Sequence, residues 1–253
     1  MTDPTRRFTD RVEDYARHRP GYPPELLDLL RRDCGLTEKT VVADVGSGTG
    51  ILARQFLDNG NRVIGVEPND EMRHAGERLL AGHGRFESTK GTAEATTLPP
   101  GSVDLITAGQ AFHWFDPGPA RREFARLLRP GGTVVLVWNA RQKHGEPFQE
   151  AYERLLQYHA TDYNEVQHGR NGSPDNIRGF FAPNPFSMAS FANEQALDYE
   201  GLRGRLRSSS YVPAEGQPGY RGMVAELERV FGEHENGGRV VMRYETQAYY
   251  GRL

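Results

Sequence analysis

The 253-residue chain carries 31 basic and 34 acidic side chains, for a formal net charge of -3, and is 37% hydrophobic and 26% charged, as a soluble globule is. A mean hydropathy of -0.67 and a longest apolar run of only Val134–Trp138 argue against a membrane protein, and the charge balance argues against a nucleic-acid surface. One cysteine, Cys34, excludes an internal disulfide framework and a cysteine-cluster metal site, and the start MTDPTRRFTDRVEDY lacks an apolar signal core, so a cytoplasmic protein without metal is expected.

Apolar residues at helical spacing predict a first helix over Phe8–Arg17. Arg19-Pro20-Gly21-Tyr22-Pro23-Pro24 interrupts it, and Pro24 suits the first position of a second helix carrying Leu26, Leu27, Leu29 and Leu30. From Thr40 a strand–helix alternation begins. Val41–Val45 reads as a buried strand, followed by glycines and a helix from Ile51 that Asn59-Gly60 stops. Val63–Val66 is a second strand, and Asn69 or Asp70 caps the next helix. Arg85–Lys90, Val103–Thr107 and Thr133–Trp138 supply three more strands, with a helix over Pro119–Leu128 ended by Arg129-Pro130-Gly131-Gly132. This alternation implies a parallel sheet with right-handed crossovers.

Residues 141–185 break the rhythm. A helix over Phe148–His159 leads into a Gly-, Asn- and Pro-rich stretch of the kind used for lids and binding loops. Phe186–Asn193 fits a strand, Leu202–Ser209 and Tyr220–Phe231 fit helices, and Arg239–Tyr250 is a last strand. Gly237-Gly238 before it suits a tight turn and an antiparallel run.

Asp44-Val45-Gly46-Ser47-Gly48-Thr49-Gly50 is the most informative stretch. Glycines at a strand-to-helix turn let a ligand approach the backbone. Their G-x-G-x-G spacing differs from the G-x-G-x-x-G of dinucleotide sites. Glu67 ends the second strand, 21 residues beyond Gly46, where a carboxylate can accept bonds from both ribose hydroxyls of an adenosine ligand.

These residues resemble those of the class I S-adenosylmethionine (SAM)-dependent methyltransferases. The acid-x-G-x-G-x-G loop is matched by Asp44–Gly50, the ribose acid by Glu67, and the adenine-lining turn by Gly91-Thr92-Ala93-Glu94. Thr92 stands where many relatives carry Asp. Gln110-Ala111-Phe112-His113-Trp114-Phe115-Asp116, with Arg19-Pro20-Gly21-Tyr22-Pro23, is similar to the small-molecule enzymes related to trans-aconitate methyltransferase. The resemblance implies an α/β, Rossmann-like, seven-stranded, mostly parallel sheet with an antiparallel last strand, helices on both faces, an N-terminal helical cap and a lid. It further implies a single domain over 1–253, divided into the cap (1–39), the SAM-binding core (40–140), a lid and acceptor segment (141–186) and the C-terminal part of the sheet (187–253).

The cofactor set implied is Arg19, Asp44, Gly46, Ser47, Gly48, Gly50, Glu67, Pro68, Met72, Thr92, Ala93, Glu94, Gln110 and Phe112. Asp44 would attract the ammonium of SAM and Arg19 its carboxylate, with S-adenosylhomocysteine (SAH) as product. Tyr22, His113, Trp114 and Asn139 would face the acceptor. His113 has the pKa range suited to a catalytic base, and the aromatic residues beside it suit cation–π contact with a sulfonium. Tyr152, Tyr158, Tyr163, Phe180 and Phe181 are candidates to line an acceptor pocket. Arg203 and Arg207, four apart, fit either a carboxylate-binding pair or a solvated face, in a chain with 28 arginines and three lysines. The expected reaction is methylation of a small molecule at oxygen, a carboxylate included, by a monomer or homodimer that engages neither nucleic acid nor membrane. Methylation at carbon or nitrogen, SAM binding without transfer, and an NAD-dependent oxidoreductase remain open alternatives.

Overall fold

A computed structural model describes residues 11–161, 163 and 173–253. The predicted helix start at Phe8–Asp10 and the Gly- and Asn-rich stretch at 164–172 lie outside the described residues.

Seven strands form one sheet in the order β3-β2-β1-β4-β5-β7-β6. They are β1 (Val41–Val45), β2 (Arg62–Val66), β3 (Phe86–Thr89), β4 (Val103–Gly109), β5 (Leu128–Arg141), β6 (Phe186–Leu197) and β7 (Val240–Gly251). Strands β1 to β5 pair in parallel, and β7 lies antiparallel between β5 and β6. The last strand therefore runs as expected, but inside the sheet, with β6 as the edge. Val240, Met242, Tyr244 and Ala248 alternate into the core, so β7 is half-buried.

The apolar runs are buried on both faces, as parallel strands require. On one face Val42, Val63, Leu105, Val135 and Val137 pack against Leu26 and Leu30 of the helix Glu25–Asp33 and Phe56 of the helix Ile51–Asp58. On the other, Ala43, Val45, Ile106, Val134 and Leu136 pack against Phe124 of the helix Pro117–Leu127 and Phe180 and Phe181 of the helix Pro174–Phe181. A third cluster joins the helices Pro147–His159, Tyr199–Arg207 and Tyr220–His234 to β7.

Element ends moved where local chemistry overrode the pattern. Asn69 caps the helix Asp70–Leu79 by accepting from Met72 N at 2.8 Å. Arg129–Gly132 belongs to β5 rather than to a separate break, because β4 accommodates it with a register shift between Val103 and Leu105. No helix among the described residues is long and apolar enough to cross a membrane.

The N-terminal helix Val12–His18 bridges two distant parts of the chain. Val12 and Tyr15 pack on Met72 and Ala75, while Arg11 donates to the carbonyls of Arg207, Ser209 and Val212, each at 2.7 Å. Asp14 pairs with Arg207 at 2.9 Å. The segment after it is tied down as Gln195 donates to His18 O and Asn193 to Gly21 O. Gly204 makes this docking possible, because a Cβ there would overlap the His18 ring. Gly204→Val should therefore lower the Tm by roughly 2–12 °C, the effect of about 1–3 kcal/mol of overpacking. Limited trypsin digestion should then cut between Arg11 and Arg19 while far-UV circular dichroism is unchanged. A digestion pattern like that of the wild type would contradict this docking.

Candidate active site

Strands β1 and β4 are neighbours whose connections leave in opposite directions, which opens a crevice at their carboxyl ends. Asp44 ends up there by register: it pairs with Thr107 across the β1–β4 ladder, and Thr107 Oγ1 donates to its Oδ1 at 2.8 Å. The chain then turns. Gly46, Gly48 and Gly50 all have positive φ, at 69°, 55° and 84°. Gly46 also lets the loop after β4 come close, since a Cβ would stand 2.6 Å from Ala111 Cβ. A Cβ on Gly48 would stand 3.3 Å from Met72 Cε.

Glu67 locks this loop. Its Oε2 accepts from Gly48 N and its Oε1 from Asn69 N, each at 2.9 Å. Burial raises its pKa, against the pull of those two N–H groups. Each carboxylate oxygen keeps a second lone pair for a ligand hydroxyl.

Beneath the glycine loop is a recess of about 40 Å³ lined by Asp44, Ser47, Arg19, Tyr22 and Arg205. It adjoins a cleft of about 940 Å³, at the upper end of the ~300–1,000 Å³ usual for ligand sites. Asp44 is 1% exposed, and burial pushes its carboxyl up to about 7, although the Thr107 hydroxyl and the Ala53 N–H favour the charged form. Burial also raises the Tyr22 phenol well above its usual value, and the Asp44 charge adds to this. Arg19 lies over the Tyr15 ring at 4.8 Å and donates to Ser208 O at 2.8 Å, while its buried Nε has no partner.

The cleft gathers most of the residues expected from the sequence: Glu67, Pro68, Met72, Thr92, Ala93 and Glu94 on one wall, Gln110, His113 and Trp114 on the next. Gln110 holds a strained positive φ of 56°, and its side chain donates to Asn139 O. The His113 and Trp114 rings lie 4.7 Å apart and tilted by 47° in a short 3-10 turn, Phe112–Trp114. Asn139 reaches the wall, but its amide is occupied: Nδ2 donates to Gly21 O, and Oδ1 accepts from Thr246 and Asn193. It holds the N-terminal segment on the sheet.

Several expectations are corrected. Phe112 is fully buried, edge-on to Phe115, Trp138 and Phe180, and lines no part of the cleft. Gly50 is buried against Leu80 at the start of its helix and lines neither recess nor cleft, although Thr49 and Ile51 beside it line the recess. Tyr152, Phe180 and Phe181 are core residues, because their helices bury an apolar face, and Tyr158 is 84% exposed. Tyr163 donates to Glu153 at 2.5 Å and accepts from Arg141 at 2.9 Å. Arg203 and Arg207 pair with Glu200 and Asp14 on the helix surface, as the solvated-face reading has it.

Arg205, between them, is the residue that reading missed. It is 6% exposed, lines both recess and cleft, and donates to Tyr244 OH at 3.1 Å and Ser209 Oγ at 3.1 Å. The available signal was an arginine on the apolar stripe Leu202–Arg205–Leu206, where a solvated face has no place.

Comparison with known proteins agrees with this geometry. Residues 43–136 match the family model described as "Methyltransferase domain". An uncharacterized methyltransferase of Mycobacterium tuberculosis (strain ATCC 25618 / H37Rv) is 40% identical over 207 residues, 81% of this chain and 76% of that protein. A methyltransferase-like protein of Schizosaccharomyces pombe, also uncharacterized, is 25% identical over 96% of this chain and 93% of its own length. Among solved structures, one from Anaeromyxobacter dehalogenans, named as a type II methyltransferase, has a TM-score of 0.66 at 23% identity, covering 92% of this chain and 97% of that one. A Haemonchus contortus phosphoethanolamine N-methyltransferase, solved with phosphomonomethylethanolamine and SAH, has a TM-score of 0.52 at 15% identity, covering 98% of this chain and 58% of that one. At these identities the structural likeness concerns the fold alone. Fold, family model and relatives define an enzyme of the class I SAM-dependent methyltransferases. The chain belongs to the methyltransferase-domain family.

The buried acid has a measurable consequence. Between about pH 4 and pH 7 folded Asp44 keeps a proton that the unfolded chain releases, so its contribution to stability is lost as pH rises through that window. Asp44→Asn cannot ionise and can still accept the Thr107 bond. It should raise the ligand-free Tm by several degrees at about pH 8 and change it little at about pH 4. A lower Tm for the variant at the higher pH would contradict the assignment.

Proposed function

We propose that this single-domain chain methylates a small-molecule acceptor at oxygen, with SAM held across the β1–β4 crevice. The observation that carries this reading is the continuity of one cleft, from Glu67 and Thr92 through the glycine loop to Asp44, Arg19, His113 and Trp114. SAM supplies, when bound, a methyl group made electrophilic by a sulfonium.

The residues fit that cofactor on several counts. Glu67 offers two free lone pairs to ribose hydroxyls, and Gly48 leaves the space a side chain would fill. Pro68, Met72, Thr92 and Ala93 offer an apolar slot for a base. Asp44 suits an ammonium, and the unpartnered Nε of Arg19 suits a carboxylate. Gln110 and Ser47 stand beside the same recess.

What the chain then contributes is alignment and exclusion of water, which can supply ~7–11 kcal/mol of a barrier. His113 and Trp114 line the cleft beyond the glycine loop, with Phe115 behind them. In this reading His113 orients the acceptor; a carboxylate oxygen needs no proton removed, whereas a hydroxyl would use the ring as base.

Glu67→Ala should weaken SAH binding at least about tenfold by titration calorimetry, a loss of ~1.4 kcal/mol. Unchanged affinity in a folded variant would refute the ribose assignment. For His113→Ala, single-turnover rates at saturating SAM and acceptor separate the roles. A base predicts a fall of about a hundredfold or more with the basic limb lost from the pH profile. Orientation predicts weaker acceptor binding with SAH affinity preserved. A wild-type rate at wild-type acceptor affinity would remove His113 from the site.

A further inference from the structure

Charge is unevenly distributed around the cleft. Its carboxylates, Asp44, Glu67 and Glu94, come from β1 and from the turns after β2 and β3. Its cations, Arg19, Arg141, Lys143 and Arg205, come from the N-terminal segment, the end of β5 and the helix Tyr199–Arg207. Among the described residues Glu153 pairs with both Arg141 and Lys143. The acidic wall suits a cofactor that carries an ammonium and a sulfonium. Arg19 and Arg205, which pair with no carboxylate among the described residues, exceed what the one carboxylate of that cofactor can neutralise.

Arg205 is the sharpest case. Its guanidinium is buried, and its hydrogen bonds go to neutral hydroxyls of Tyr244, Ser208 and Ser209. Among the described residues no carboxylate pairs with it or with Arg19; burial first, and the Arg205 charge second, lower the Arg19 pKa, whereas burial works to lower the Arg205 pKa and the phenols of Tyr244, Tyr152 and Tyr211 hold it above its ordinary value. Removing such a group from water without a counter-charge costs several kcal/mol. A fold that keeps two of them beside a cleft provides for two anions. Arg19 stacks on Tyr15, which packs against Met72 on the cofactor wall. Arg205 sits instead against Tyr244 of β7, beside Ser210 and Tyr211 of the cleft.

We propose that Arg205 anchors an anionic group, carboxylate or phosphate, of the methyl acceptor. This rests on the cofactor reading above, which leaves Arg19 to the carboxylate of SAM. Arg205 thus selects acceptors by charge and holds them against the basic wall.

The test is thermal melting and calorimetry of the SAH-saturated protein with sodium succinate or inorganic phosphate, against sodium chloride at equal ionic strength. The wild type should be stabilised, saturably at millimolar anion, by at least one of the two. Succinate alone would point to a carboxylate and phosphate alone to a phosphate ester. Arg205→Met should lose the response with SAH affinity changed less than about threefold, and Arg205→Lys should keep part of it. The proposal is overturned by any of three results: no stabilisation beyond that of chloride, a full response in Arg205→Met, or a tenfold or greater loss of SAH affinity in that variant, which would assign Arg205 to the cofactor. If Arg205→Met does not fold, a full response in Arg205→Gln overturns it equally. Wild-type protein that does not bind SAH at all would count against the cofactor reading. Repeating the anion titration without SAH keeps the two failures separate.

Discussion

A carboxyl buried at the centre of a sheet is costly, and the architecture around the crevice is arranged about that cost. Asp44 cannot leave: its position in β1, opposite Thr107 of β4, is fixed by the parallel ladder. Burial lifts its pKa to about 7, so in the ligand-free chain its charge is weakly held. A cation brought into the recess offsets the desolvation and favours the ionised form. Arg205, which lines the same recess, poses the converse problem. Charges left incomplete by the fold are completed by a ligand, which is how a binding site differs from a buried salt bridge such as Arg141–Glu153.

The enclosing parts serve this recess. The helix Val12–His18 links the helix after β2 to the helix Tyr199–Arg207, and Arg19 follows it directly. Asn139 and Asn193 both donate to Gly21 O, so the segment is pinned to β5 and β6 as well. Strand β7, inserted between β5 and β6, brings Tyr244 under Arg205 and Thr246 under Asn139. The C-terminal third of the chain is thereby part of the site, although the residues that define the family lie in 43–136.

What the sequence disclosed divides along these lines. The strands and glycines of the first 140 residues were legible because their signals are local: short apolar runs, a glycine turn, an acid at a strand end. Glu67, Thr92 and Glu94, expected to meet a cofactor, share one cleft for the same reason. Phe112 was misplaced because an aromatic in a loop after β4 reads the same whether it faces the cleft or, as here, Phe180 some 68 positions away. Tyr152, Phe180 and Phe181 were misread for the same reason, their core partners being distant in sequence. Arg205 escaped because the i,i+4 spacing singles out Arg203 and Arg207, whereas an arginine beside Leu202 and Leu206 was the stronger anomaly. The internal position of β7 was not written locally either, since neither its neighbours nor its turn specify a slot in the sheet.

The central claim is that Asp44 and Arg19 read the amino-acid part of the cofactor. Calorimetric comparison of SAH with 5′-methylthioadenosine, which has the same adenosine and a thioether but neither ammonium nor carboxylate, tests it most directly. The account predicts that SAH binds at least about a hundredfold more tightly, ~2.8 kcal/mol for two charge-assisted contacts, and that the advantage shrinks for Asp44→Asn and Arg19→Met. Equal affinities for the two compounds would contradict it.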